Sequence, residues 1–327
     1  AFGHALLWCS ASLNPLGHCL AIDGGRVENL EISTVLSQLK ELGHSNREAK
    51  TLLERGKVLI DDVPTADGRR SVHPSRVTVR PNSPRITPGR DPYIVFRCPD
   101  YVVINKPAGW LSVRAPRRHN SPTITGFVYN LLGAAFPVHR LDEPTSGLML
   151  VALNEDSQFQ LKSAFEERSI ERTYMVLASG NFSGSLTHES LLIRDRGDGL
   201  RGSATKAQQR DLADEQLKRA RSHFEAVEAL NNATLIKAKL DTGRTHQVRI
   251  HLAELKHPVL GDSLYGGRRN QGRAERLALH SCLLRLPASL GGQSWSSPLA
   301  DDLEKLRRTL DLRHVKSARG RQRRMQR

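Results

Sequence analysis

The run His139-Arg140-Leu141-Asp142-Glu143-Pro144-Thr145-Ser146-Gly147-Leu148 sets one aspartate among polar and charged residues, between Pro137 and an apolar stretch. Short polar loops on a rigid scaffold are where proteins present reactive groups, and an ionised carboxylate held there can act as nucleophile or base. The same residue types also suit a plain turn in which Asp142 accepts from backbone N–H groups. A second run, Leu240-Asp241-Thr242-Gly243-Arg244-Thr245-His246-Gln247-Val248-Arg249-Ile250-His251, surrounds the start of a helix with Arg244, His246, Arg249 and His251. Backbone donors at a helix start favour anions, so this run reads either as a phosphate-binding surface or as a helix with solvated charges. His246 and His251 stand five positions apart with no cysteine nearby, unlike the four-residue spacing of an H-E-x-x-H zinc pair, and no metal is expected.

The elements that must hold these loops follow from periodicity. Leu36, Leu39 and Leu42 fall at helical spacing before Gly43; Ser45 or Asn46 can cap a second helix carrying Ala49, Leu52 and Leu53 on one face, and Gly56 stops it. Val58–Ile60 and Val77–Val79 read as short strands, the first followed by an Asp61-Asp62 turn. Pro81, Pro84, Pro88 and Gly89 mark a linker. Beyond it, Tyr93–Phe96 and Tyr101–Ile104 form a hairpin pattern split by Pro99-Asp100, and Leu148–Leu153 reads as a buried strand. A helix with Leu161, Ala164 and Phe165 on one face follows, then strands at Tyr174–Leu177, Phe224–Leu230, Thr234–Leu240 and Leu277–Leu286. His246–Leu255 is helical by Val248, Leu252 and Leu255, and Leu303, Leu306 and Leu310 mark a last helix. Strands without regular β-α alternation imply an α+β fold with a mixed, mainly antiparallel sheet.

The expected organisation is an N-terminal arm over 1–32, a small α/β module over 33–82, a linker over 83–90, a main domain over 91–312 and a basic disordered tail over 313–327. A chain of 327 residues has room for about two domains. Its 49 Lys and Arg against 34 Asp and Glu leave a formal charge of +15, which points to a polyanion such as nucleic acid. Cys9, Cys19, Cys98 and Cys282 form no C-x-x-C pair, so neither a zinc ribbon nor a disulfide framework is expected and a reducing, cytoplasmic setting fits. The chain starts at Ala1, and residues 1–22 contain no Asp, Glu, Lys or Arg, so an organellar targeting segment stays open. No stretch reaches the roughly 18 apolar residues of a membrane span.

The motifs together resemble RluA-type pseudouridine synthases: the HRLDEPTSGL run, Arg172-Thr173-Tyr174, and the TGRTHQVRIHLAELKHPVLGD segment, with Val103-Ile104-Asn105-Lys106-Pro107-Ala108-Gly109 and Gly261-Asp262-Ser263-Leu264-Tyr265-Gly266. The similarity spans roughly residues 91–312. Leu42–Ala49 and Gly56–Asp62 resemble an S4 RNA-binding domain over a shorter stretch.

The resemblance implies a cofactor-independent isomerase that converts uridine to pseudouridine in structured RNA, with Asp142 as the essential carboxylate; nothing in the sequence points to an obligate dimer, and a monomer is expected. Large-subunit rRNA is the first expectation for the substrate; tRNA, or a non-catalytic RNA-binding role in ribosome assembly on the same scaffold, is the alternative. Arg249 is implied as the partner of Asp142, holding its pKa low. Tyr174 is implied as the aromatic that stacks on uracil, and its hydroxyl as a group that can serve in C5 deprotonation. Arg140 would fill the gap left by a flipped nucleotide, and Ile250 would pack beneath the base or in the core. Arg244 and His246 are expected to face RNA, as are Arg47, Lys50, Arg55 and Lys57 on a basic face of the S4-like module. Val113, Ser222 and Ser281 replace residues usual in the family, without adjoining Asp142, Tyr174 or Arg249, and the polar stretch 194–221 follows the family pattern poorly.

Overall fold

The computed structural model describes residues 12–13, 19–23, 26–30, 32–60, 63–81, 90–116, 121–267, 270 and 272–311. The chain divides into two compact units, Ala1–Pro88 and Gly89–Arg327. The basic tail, the Asp61-Asp62 turn and nearly all of the expected linker lie outside the described residues. None of the described helices is long and apolar enough to cross a membrane.

In the first unit, helix Val35–Glu41 is capped by the Thr34 side chain and helix Asn46–Glu54 by Ser45. Ser45 and Glu48 form a reciprocal capping box, an arrangement worth about 1 kcal/mol. Val35, Leu39, Ala49 and Leu53 on the two helices pack with Val58, Ile60 and Val72 into one small core. Gln38 is buried at its edge and donates to the carbonyls of Ser33 and Val72, so a polar side chain ties the first helix to its neighbouring strands. Strand Val58–Ile60 pairs antiparallel with Val77–Val79. The stretch expected as an arm contains strands Ser12–Leu13, Cys19–Asp23 and Arg26–Leu30 in antiparallel pairing. The signal passed over there is Gly24-Gly25, a dipeptide typical of two-residue hairpins.

The second unit is built on an 11-stranded sheet. Its main path runs Gly202–Ser203, Ser185–Ile193, Lys218–Leu230, Ala233–Leu240, Glu171–Ser179, Leu279–Arg285, Ser146–Ala152, Tyr101–Lys106, Tyr93–Arg97. All pairings on it are antiparallel except one: Ser146–Ala152 runs parallel to Leu279–Arg285 through Ser146↔His280 and Gly147↔Ser281. The fold class is therefore the expected α+β.

Strand alternation explains why the central strands read as unbroken apolar runs. Met149 and Val151 face one core, with Val102 and Ile104; Leu148, Leu150 and Ala152 face a second, with Tyr101 and Val103. A strand covered on both faces has no wet side to carry polar residues. Helix Glu155–Glu166 covers the second core with Leu161 and Ala164, and helix Ile124–Leu132 seals the first with Ile124 and Val128. The helical segment 301–311 adds Leu303 and Leu310 to the first core.

Candidate active site

Asp142 sits in the loop that leads into the Ser146–Ala152 strand, and its backbone is clamped on both sides. Before it, the Ser112 hydroxyl accepts from Leu141 N at 2.9 Å and donates to Leu141 O at 2.7 Å. After it, Lys106 Nζ and Gly109 N both donate to Glu143 O, at 3.0 and 2.8 Å. The loop closes on itself as Thr145 N donates to Asp142 O at 3.0 Å. Each clamp uses a group at the end of the hairpin strand Tyr101–Lys106 or in the segment after it, so the position of Asp142 is set by the sheet. Lys106 has no exposed surface; burial, opposed by the nearby Asp142 charge, pushes its ammonium down to about 7.

The Asp142 carboxylate faces helix Gln247–Glu254. Arg249 Nη1 lies 3.5 Å from Asp142 Oδ2, and His246 Nε2 lies 3.8 Å from the same oxygen. The tighter partner of Arg249 is another acid, Asp262, which accepts from Nε and Nη2 at 2.8 Å each. The expected contact between Arg249 and Asp142 is present but is the looser of two: one edge of the guanidinium fork is saturated by Asp262, and Nη1 remains for Asp142. Asp262 in turn is held by Leu264 N and Tyr265 N. Burial works against both charges, yet their mutual hydrogen bonds prevail, raising the Arg249 pKa and lowering that of Asp262.

His246 occupies the cap position of the helix with φ of 61°, a left-handed conformation that costs a side-chain-bearing residue roughly 1–2 kcal/mol. Its Nδ1 meets the Tyr265 hydroxyl at 2.9 Å, which turns Nε2 toward Asp142. Burial lowers its pKa against the pull of Asp142. Behind it, Gln247 staples the loop: Oε1 accepts from Thr242 Oγ1 and Arg244 N, while Nε2 donates to Arg221 O and Ser222 Oγ.

A cavity of about 600 Å³ opens against these groups, its walls including Arg140, Asp142, Arg172, Tyr174, Arg244 and Arg249. Tyr174 comes from the Glu171–Ser179 strand and is buried; burial and the Asp142 charge, only partly offset by Arg172, raise its pKa. The phenol therefore stays protonated, which suits an aromatic wall and ill suits a resting general base. Arg172 is buried in the same wall, stacked over Phe165 at 5.3 Å and packed against Gly243, and its Nε has no partner among the described residues. His139 is a structural acceptor: its Nε2 takes a hydrogen bond from Leu150 N, and burial drives its pKa to about 3.

The structure thus brings Asp142, Tyr174, Arg249, Arg140, Arg244 and His246 to one cavity. Ile250 is not among its walls: it faces the other side of the helix and packs with Leu192, Ala220 and Tyr265. In the first unit Arg47, Lys50 and Arg55 are exposed on and just after helix Asn46–Glu54, whereas Lys57 is buried. Ser281 is the cross-strand neighbour of Tyr174, so that departure borders the site after all. Lys106, Ser112, Arg172, Gln247 and Asp262 are positioning residues without a role assigned from the sequence, although all of them except Ser112 lie inside the quoted motifs.

A family model described as RNA pseudouridylate synthase matches residues 100–254. The ribosomal large subunit pseudouridine synthase D of Haemophilus influenzae is 33% identical over 234 residues, 65% of this chain and 69% of the relative. The protein of the same name from Neisseria meningitidis is 30% identical over 318 residues, 90% of this chain and 80% of the relative. Among solved structures, human RNA pseudouridylate synthase domain containing 1 superimposes with a TM-score of 0.55 at 26% identity, covering 65% of this chain and 86% of that one.

Proposed function

The chain belongs to the RNA pseudouridylate synthase family and is an enzyme that isomerises uridine to pseudouridine in RNA; from that premise we propose that Asp142 is its catalytic carboxylate and large-subunit rRNA its substrate. The reaction breaks the N1–C1′ bond, turns the uracil, joins C5 to C1′ and exchanges a proton on C5 for one on N1. No electrons are gained or lost. An ionised carboxylate serves either route to the first step, by attack on C1′ or by removal of the C2′ proton.

The observation that carries the reading is the clamped Asp142 in the wall of a cavity large enough for one nucleotide, with a guanidinium nitrogen 3.5 Å from its carboxylate. Arg249 positions and neutralises that carboxylate, and Asp262 positions Arg249. Tyr174 stacks on the uracil. Arg140, exposed at the mouth, fills the gap in the RNA left by the extruded base, whose removal costs a few kcal/mol. Arg244 and His246 hold the RNA from the start of helix Gln247–Glu254, while Ile250 supports that helix from its core side. Arg47, Lys50 and Arg55 give the S4-like module a phosphate-binding face, and the enzyme acts as a monomer. The rRNA assignment draws on the relatives named for the large ribosomal subunit.

Purified protein given unmodified rRNA and tRNA transcripts, wild type beside Asp142→Asn, tests the proposal. Pseudouridine is expected in the large-subunit transcript from the wild type alone. Product in tRNA only would reassign the substrate, and product from Asp142→Asn would remove Asp142 from the chemistry.

A further inference from the structure

The stretch 194–221, which departs from the family pattern, folds into short pieces: strand Gly202–Ser203, helix Gln208–Asp211 and the turn Asp214–Gln216. It encloses a second groove of about 540 Å³, whose walls carry Arg194, Arg201, Lys218 and Arg244. Gly243 and Arg244 belong to both this groove and the cavity that holds Asp142, so the two concavities share a wall.

Charge pairing sets the groove apart from the surface around it. Arg196 pairs with Asp198, Arg219 with Glu189, and Arg221 with Asp241. Arg194, Arg201, Lys218 and Arg244 make no ion pair among the described residues. Of the acids on the groove walls, Asp195 is spent on its own turn, accepting from Gly197 N and Gly199 N at 2.8 Å each, and Glu215 is exposed. Four cations against two acids leave the groove walls positive, and an excess of one sign in a concavity focuses potential and raises the local concentration of a polyanion.

We propose that this groove binds the phosphate backbone of the RNA strand on one side of the target uridine, with Arg194, Arg201, Lys218 and Arg244 as its contacts. The inference rests on the RNA-modifying reading of the neighbouring cavity and extends it. A nucleotide placed against Asp142 leaves its strand at the Gly243–Arg244 wall, and beyond that wall lie the unpaired cations. Because the groove is made by the segment that departs from the family, it is also where this chain would choose the RNA flanking its target. The occupant is a strand of several phosphates, since the cations are spread along the walls and come from separate pieces of chain.

The test is equilibrium binding of an unmodified large-subunit rRNA transcript across a salt series, with pseudouridine formation followed on the same RNA. The triple variant Arg194→Gln/Arg201→Gln/Lys218→Gln is expected to bind about tenfold more weakly and to show a log affinity against log salt slope shallower by about 2, since each phosphate contact releases bound counterions. The charge-conserving variant Arg194→Lys/Arg201→Lys/Lys218→Arg is expected to keep the wild-type slope, which separates loss of charge from loss of fold. A control removing three cations elsewhere, Lys237→Gln/Lys239→Gln/Arg285→Gln, is expected to keep it too. These three pair with Glu225 and Glu171 on the strand face opposite Leu240. An unchanged slope in the Gln groove variant, or the same loss in the control, overturns the groove. A wild type that binds with the expected slope but forms no pseudouridine would instead count against the proposed substrate and leave the groove standing.

Discussion

The ammonium of Lys106 donates to the carbonyl oxygen of Glu143 at 3.0 Å, so a fully buried cation holds the residue next to Asp142. Burial brings that ammonium from its ordinary value near 10.5 down to about 7. Between those values the unfolded chain keeps a proton that the folded protein has shed. The cost of burying the charge is therefore full below about pH 7 and fades as pH rises toward 10. Measured against Lys106→Met, the wild type should gain stability from pH 7 to pH 9, by up to about 1.4 kcal/mol per pH unit. Denaturant titrations of both proteins at several pH values check this, and a constant difference would mean the folded protein keeps the ammonium charged. Loss of the clamp should also lower kcat by roughly tenfold, since small displacements of a reacting group are costly.

Asp262 is fully buried and accepts two hydrogen bonds of 2.8 Å from Arg249, so removing it strands a charge. Asp262→Ala should destabilise the protein by about 3–5 kcal/mol, the usual cost of breaking a buried ion pair from one side. Arg249→Lys keeps the charge but cannot hold Asp262 on one edge and Asp142 with another nitrogen. Its kcat should fall by about 100-fold, as for loss of a fixed electrostatic donor, with a smaller loss of stability than Asp262→Ala. Thermal denaturation beside single-turnover pseudouridine formation separates the two effects. Equal loss of stability in both variants would argue that Arg249 serves only the fold.

Gly147 tests the strand that carries the loop. It has φ of 109°, and a Cβ there would collide with the backbone of Ser281 across the parallel pairing. Backbone cannot swing aside as a flexible side chain does, so Gly147→Ala should cost at least about 3 kcal/mol by forcing a strained conformation and spreading the strands. Chemical denaturation of the purified variant measures it. Wild-type stability would show that the two strands part at little cost.

What was legible in the sequence follows the physics of each element. Ser146–Ala152 stood out because a strand buried on both faces must be apolar throughout, and helix Asn46–Glu54 because Ser45 and Glu48 write its start locally. Strand Ser185–Ile193 lacks an apolar signature because Ser185, Thr187 and Glu189 form a wet face, while His188 and Ser190 on the covered face bond Glu254 and His251. Helix Ile124–Leu132 was hidden by Gly126 within its first turn. Asp142, Tyr174 and Arg249 were marked by motifs, but the clamps were not: Ser112 meets Leu141 29 positions away and Lys106 meets Glu143 37 positions away. Such pairings depend on the sheet, which no local pattern records. Lys57 was misplaced on an exposed basic face because its identity as a charged residue hides how much of its long stem the fold covers.

Arg172 is the one place in the cavity wall where stability and activity should part. It is buried, its Nε has no partner among the described residues, and no carboxylate lies within ion-pairing distance in that set. Desolvation lowers its pKa, with only Tyr174 and Asp241 opposing. A buried guanidinium in this condition is an expense to the free protein, and an apolar residue of similar length is often better tolerated. Phosphate or uracil oxygens entering the cavity would supply the missing acceptors. Arg172→Met should therefore raise the melting temperature of the free protein, by roughly 1–4 kcal/mol in stability. The same change should lower kcat/KM on the RNA substrate about 10- to 100-fold, the scale expected for losing a hydrogen bond to a charged group. Calorimetry of the free enzyme and initial rates on the same preparation give both numbers. A variant that loses stability and activity together would assign Arg172 to the fold, through its stacking on Phe165 and its packing against Gly243.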